Sequence, residues 1–112
     1  MAEKTNQIKF DYDEDADVLY VTLGSGEPSF SQDVDDHVVI DFGMYTGAPT
    51  GFQILHMAEA DVHAVQVRLM KELTELSVLG KEEMKKMVSQ RQQTLKKAIQ
   101  SFPSRIGDLV SK

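Results

Sequence analysis

Ile8-Lys9-Phe10-Asp11-Tyr12, then the acidic run Asp13-Glu14-Asp15-Ala16-Asp17, then Val18-Leu19-Tyr20-Val21-Thr22-Leu23: this stretch decides how the chain is read. Ile8, Phe10 and Tyr12 alternate with Lys9 and Asp11, the period of a strand with one buried side. Residues 18 to 23 are rich in β-branched and aromatic side chains, which fit a pleated surface. The acidic run between them cannot pack, and aspartate tolerates turn geometry, so the two strands are expected to form a hairpin.

Outward from the hairpin, Gly24-Ser25-Gly26-Glu27-Pro28 ends the second strand, because glycine loses entropy in a ladder and proline lacks a donor. A third strand is expected over about Phe30 to Val34, with Asp35-Asp36 as a tight turn into a fourth, His37 to Phe42. Gly43 to Pro49 is another turn, and Gly51-Phe52-Gln53-Ile54-Leu55 a fifth strand. Turns this close together leave no room for crossover helices, so residues 7–56 read as a five-stranded antiparallel meander. Its core face would carry Ile8, Phe10, Tyr12, Leu19, Val21 and Leu23 from the hairpin. Phe30, Val34, Val38, Ile40, Phe42, Phe52 and Ile54 would join them from the other strands. The opposite face carries Lys9, Asp11, Ser31, Asp33, Asp41 and Gln53, and also Val18, Tyr20, Val39 and Leu55, so part of it is expected to be covered.

Beyond residue 62 the apolar period lengthens to three and four. Val62, Val65, Leu69, Leu73 and Leu76 make one stripe, which predicts a helix over 59–79 closed by Gly80 in a left-handed cap. Val65 to Leu69 also alternates, which keeps a sixth strand open as the alternative at that point. Met84, Met87, Val88, Leu95, Ala98, Ile99 and Phe102 predict a second helix over 81–102, with Glu82 and Glu83 in its first turn and Lys96 and Lys97 near its end, as the helix dipole favours. Pro103 is expected to stop it and leave 103–112 as a tail. The predicted fold class is α+β, a single domain with two C-terminal helices covering one face of the sheet.

The 112 residues include no cysteine, which excludes disulfides, thiolate metal sites and thiol catalysis. The net charge of −6 is unevenly spread: residues 1–62 hold 13 acids against Lys4 and Lys9, whereas residues 63–112 hold 10 bases against 5 acids. An acidic surface repels nucleic acid and anionic membranes unless a basic patch is segregated, so neither is expected as a partner. No apolar run approaches the ~18 residues that cross a bilayer, and the opening residues lack the apolar core of a secretory signal, so a cytosolic protein is expected.

Tyr12-Asp13, Ala16-Asp17-Val18-Leu19-Tyr20-Val21 and Leu23-Gly24, followed by Val34-Asp35-Asp36, Val38-Val39-Ile40-Asp41 and Gly51-Phe52-Gln53-Ile54-Leu55, resemble the small bacterial YuzE-like family of domains of unknown function. The most specific element is residues 15 to 21, set at the matching distance from Gly51 to Leu55. The resemblance covers about half the chain and stops before residue 63. It implies a β-meander with helical packing and carries over no catalytic residues. Where the family pattern often has Glu, this chain has Gln53, so a role resting on that carboxylate would be absent. Some genes for such domains lie beside toxin genes, which implies an antitoxin-like or DNA-linked regulator as the alternative function.

An EF-hand loop starting at Asp11 would place Ala16 where glycine is needed and Thr22 where glutamate is needed, so the acidic run reads as a solvated turn. Asp33, Asp35, Asp36 and Asp41 form a second cluster that a small metal-dependent hydrolase could use, but no nucleophile or oxyanion donor accompanies it. His37, His56 and His63 lack zinc-ligand spacing. Gly24-Ser25-Gly26 is followed by no lysine at phosphate-loop spacing. Lys85, Lys86, Arg91, Lys96 and Lys97 could make a phosphate-binding stripe, or simply the solvated side of a helix. No cofactor, metal or enzymatic activity is expected.

The reading that remains is a non-enzymatic protein-protein interaction module. The second helix, about 33 Å long, exceeds what five short strands can cover. Leaving Leu95, Ile99 and Phe102 wet would forgo roughly 1.5–3 kcal/mol each. They pack either on the chain's own first helix or on a partner, of which a second copy is the simplest. The candidate interaction residues are therefore Met84, Met87, Val88, Leu95, Ile99 and Phe102 on the helix, with Val18, Tyr20, Val39 and Leu55 on the sheet.

Overall fold

The computed structural model describes residues 8–24, 26–75 and 82–110, with the side chains of 82–85 and 106–110 outside that description. Its strands are β1 (Ile8–Asp13), β2 (Val18–Leu23), β3 (Ser29–Asp33), β4 (Val38–Gly43) and β5 (Pro49–Leu55), followed by α1 (Val62–Thr74) and α2 (Glu82–Val110). All pairings are antiparallel, and both helices pack on one face of the sheet, giving the expected α+β fold.

The order across the sheet is β1-β2-β5-β4-β3, which is not a simple meander. Composition explains the change. A meander would put β3 in the centre, yet Ser29-Phe30-Ser31-Gln32-Asp33 is exposed along its length, a strand fit for an edge. β5 carries apolar residues on both faces and takes the centre instead. Phe30, expected in the core, is consequently 47% exposed and stacks on Phe42 with centroids 5.8 Å apart. Gly51 serves that central position: a Cβ there would run into the Val21 carbonyl oxygen of β2, so only glycine lets the two backbones approach.

The register aligns the core. Leu19 pairs with Ile54 and Val21 with Phe52 across β2 and β5, and Val38 and Ile40 pair with the same two residues from β4. Val65, Leu69 and Leu73 of α1 and Leu95, Ala98, Ile99 and Phe102 of α2 close over them. Residues 65 to 69, also compatible with a strand, are helical because Asp61 caps the turn, its carboxylate accepting from the Ala64 N–H at 3.1 Å. That cap starts the helix at Val62 instead of 59, with residues 57 to 60 in a turn. α1 ends at Thr74; Leu76 and the expected Gly80 cap lie outside the described residues.

Pro103 does not stop α2, which continues to Val110, so the expected tail is helical over most of its length. Proline removes the N–H that would reach the carbonyl four residues back, at Ile99. Gln66 of α1 supplies the missing donor: its Nε2 donates to the Ile99 oxygen at 2.9 Å. Removing this donor by Gln66→Leu should cost about 1–2 kcal/mol, the range for a stranded acceptor. In a Pro103→Ala background, where residue 103 regains an N–H, the same change should cost under about 0.5 kcal/mol. A double-mutant cycle by urea unfolding reads the difference; equal losses in both backgrounds would refute this account.

Candidate functional site

The sequence-predicted interaction residues separate into two groups. On α2, Val88, Leu95, Ile99 and Phe102 are buried within the chain itself, Met87 is half-buried, and the side chain of Met84 lies outside the described residues. From Leu95 onward the apolar stripe of the long helix is taken up by the core it shares with the sheet and α1. The second group stays together on the sheet face away from the helices. Val18 and Leu55 are register partners, and Tyr20 and Val39 flank Gln53 from either side. Val18 and Val39 are buried, Tyr20 and Leu55 half-buried, and all four stand outside the core cluster under the helices. Among the described residues no helix packs on this second face.

A polar network sits beside that apolar patch. Ser31 Oγ donates to Asp41 Oδ1 at 2.6 Å, and Gln53 Nε2 donates to the same oxygen at 2.9 Å and to Ser31 Oγ at 3.2 Å. Asp41 is only 7% exposed. Its carboxylate thus has partners on both neighbouring strands, so the face can lose water without stranding it. Alternation places Ser31, Asp41 and Gln53 on one face; that they bond follows from the β3-β4-β5 adjacency.

At the hairpin end, Asp17 gathers three partners. Tyr12 Oη donates to Asp17 Oδ1 at 2.5 Å, the Ala58 N–H donates to its carboxylate at 3.0 Å, and the Asp17 carbonyl accepts from the Met57 N–H. The Tyr12 bond, then the Ala58 N–H, holds the Asp17 carboxyl below the usual range, and the same Tyr12 bond pushes the phenol up to about 12. Asp17 and His56 both adopt left-handed backbone, at φ 57° and 53°. These contacts fasten the hairpin tip to the β5–α1 turn. Asp13 accepts from the Asp15 and Ala16 N–H groups, the bonding of a turn.

His37 and His56 meet edge to face at 5.9 Å, and His37 Nδ1 lies 2.9 Å from the Leu55 carbonyl, which can only accept, so that nitrogen carries the proton. His63 stands apart, exposed on α1. An open cleft of about 490 Å³ is lined by Asp35, Asp36, His37, Glu59 and Asp61 with Ala64 and Val65. Among the described residues no group of three or more His, Asp or Glu is placed to hold a metal ion.

Sequence reasoning missed Glu27 and Arg91. Arg91, read with the solvated lysines, is 7% exposed and donates from Nη1 to Glu27 Oε2 at 2.9 Å. The same oxygen accepts from Thr46 Oγ1, and Oε1 from the Tyr45 and Thr46 N–H groups. The basic stripe thereby loses one of its members to the interior; Lys86 and Lys97 remain exposed. No pattern in the sequence points to the pair; in the structure glycine at 43 makes room for it, since a Cβ there would overlap the Glu27 carboxyl carbon.

The fold and this surface define an α+β protein whose described helices roof one side of the sheet. A family model described as a protein of unknown function (DUF2283) matches residues 9–57, which span all but the first residue of the sheet, and leaves both helices outside. No curated protein and no solved structure matches the chain. No helix among the described residues is long and apolar enough to cross a membrane.

Proposed function

We propose that the chain is a non-enzymatic, cytosolic interaction module of YuzE-like type that pairs with a second copy of itself through the second face of its sheet. The observation that carries this reading is the contiguous set Val18, Tyr20, Val39 and Leu55 on a face that no described helix covers. The neighbouring Ser31–Asp41–Gln53 network supports it, because interfaces tolerate polar groups whose bonds are already made. Stacking two such faces about 10 Å apart, as in a sandwich, is self-complementary under a two-fold axis.

Area sets the expected strength. Five strands at about 4.8 Å spacing and some six residues at about 3.4 Å rise give a face of roughly 24 by 20 Å. That is about 480 Å², below the roughly 600 Å² per partner at which stable specific interfaces begin, so a weak, reversible dimer of micromolar or lower affinity is expected. Sedimentation equilibrium should show monomer giving way to dimer with rising concentration. The variant Tyr20→Glu/Leu55→Glu should stay monomeric while keeping its circular dichroism spectrum. A wild-type chain that remains monomeric at about 1 mM, where a dimer of about −4 kcal/mol would be half formed, would overturn the reading.

A further inference from the structure

The edge of the sheet farthest from β3 has a different character. Among the described residues β1 pairs only with β2, and no described strand lies on the other side of its backbone. Alternate N–H and C=O groups of such an edge point outward and can accept another strand. α2 runs beside it, and between the two lies an open groove of about 330 Å³. Ile8, Phe10 and Ala98 supply its apolar floor; Thr94 and Ser101 add hydroxyls, and Lys97 and Arg105 add charge. Ile8 and Phe10 alternate with exposed Lys9 and Asp11 and so share the helix side of the strand. Positions 94, 98, 101 and 105 share one helix face. The Arg105 guanidinium stands over the Phe10 ring, 5.1 Å from its centroid, which places this cation at the groove.

The charge is out of keeping with the rest of the molecule. The chain carries 18 acids against 12 bases, yet among the described residues the groove is lined by two cations and no carboxylate. A strand edge beside a helix, with an apolar floor between cations, suits one occupant by its chemistry: an extended acidic peptide. We propose that this groove binds such a peptide as an added strand along β1, an apolar side chain over Ile8, Phe10 and Ala98, and carboxylates against Lys97 and Arg105. The spacing agrees. Eight helical positions separate Lys97 from Arg105 along the axis by about 12 Å, and two same-side residues four apart in an extended chain by about 13 Å. The preferred pattern is therefore Glu-x-Val-x-Glu. This site is independent of the sheet face proposed for self-pairing.

The test uses the full chain and a fluorescein-labelled peptide, Thr-Glu-Thr-Val-Thr-Glu-Thr, read by fluorescence anisotropy. Binding is expected to weaken at least tenfold when both glutamates become lysine, and likewise when the backbone amides are N-methylated. Lys97→Glu/Arg105→Glu should lose at least tenfold, and Lys97→Ala/Arg105→Ala should lose less; both pairs sit on exposed positions, so the fold is retained. Amide shifts of residues 8–13 and 94–105 should move on titration while those of Tyr20 and Leu55 do not. Absence of binding at about 1 mM peptide would overturn the proposal. So would equal binding to the charge-reversed variant, or a charge-reversed variant that loses self-association, which would give the groove to a second copy.

Discussion

Shortening Phe102 to alanine is expected to remove about 3–5 kcal/mol of folding free energy, the range for deleting a fully buried ring. Phe102 is 0% exposed and meets Phe52, the centre of β5, edge to face with centroids 6.3 Å apart. Leu95, Ala98 and Ile99 belong to the same buried cluster, so truncation opens a cavity in a close-packed core. Against a total stability of about 5–15 kcal/mol for a domain, that loss is large enough to unfold part of the population. Leu55→Ala on the second face should by contrast cost under about 1 kcal/mol, a surface-scale effect, and weaken self-association. Urea unfolding separates the two. A loss under about 1 kcal/mol for Phe102→Ala would mean that the end of α2 is not docked on the sheet.

This pair of expectations also marks how far the residues alone could be read. Alternation placed Leu19, Val21, Val38, Ile40, Phe52 and Ile54 on one face and Val18, Tyr20, Val39 and Leu55 on the other, and both sets stand where it put them. A period of two reports which side a residue faces; it carries no information on which strand lies next door. Hence the central position of β5 was hidden, although the polar β3 and the two-faced β5 held the hint. The end of α2 failed for a related reason. A proline rule is local, and the donor that relieves Pro103 comes from Gln66 on another helix. For the same reason Leu95, Ile99 and Phe102 read equally well as core or as interface: helical spacing shows a stripe and not what lies against it.

Arg91→Met is expected to cost about 3–5 kcal/mol, because it removes one partner of a buried pair and leaves the other charge behind. Glu27 and Arg91 have side chains 7% and 8% exposed and lie 64 positions apart, a separation over which no pattern links them. Their position gives the pair its weight. β5 and β4 separate β2 from β3 in the sheet, and Glu27, just before β3, fastens the start of that edge strand to Tyr45 and Thr46 in the β4–β5 loop and to α2. Burial pushes the Glu27 carboxyl up, but the Thr46 hydroxyl, Arg91 and the Tyr45 and Thr46 N–H groups outweigh it, so the carboxyl ends below the usual glutamate range. A carboxyl depressed on folding stabilises the protein above its unfolded value, and that stabilisation is lost as pH falls through the folded value. Glu27→Gln should therefore be less stable than wild type at neutral pH. The gap should close on acidification, because protonated Glu27 and glutamine present the same charge to Arg91. Urea midpoints of the two proteins across the acid range read this directly; a gap that stays constant as pH falls would show that the carboxylate charge is not what holds the start of β3 in place.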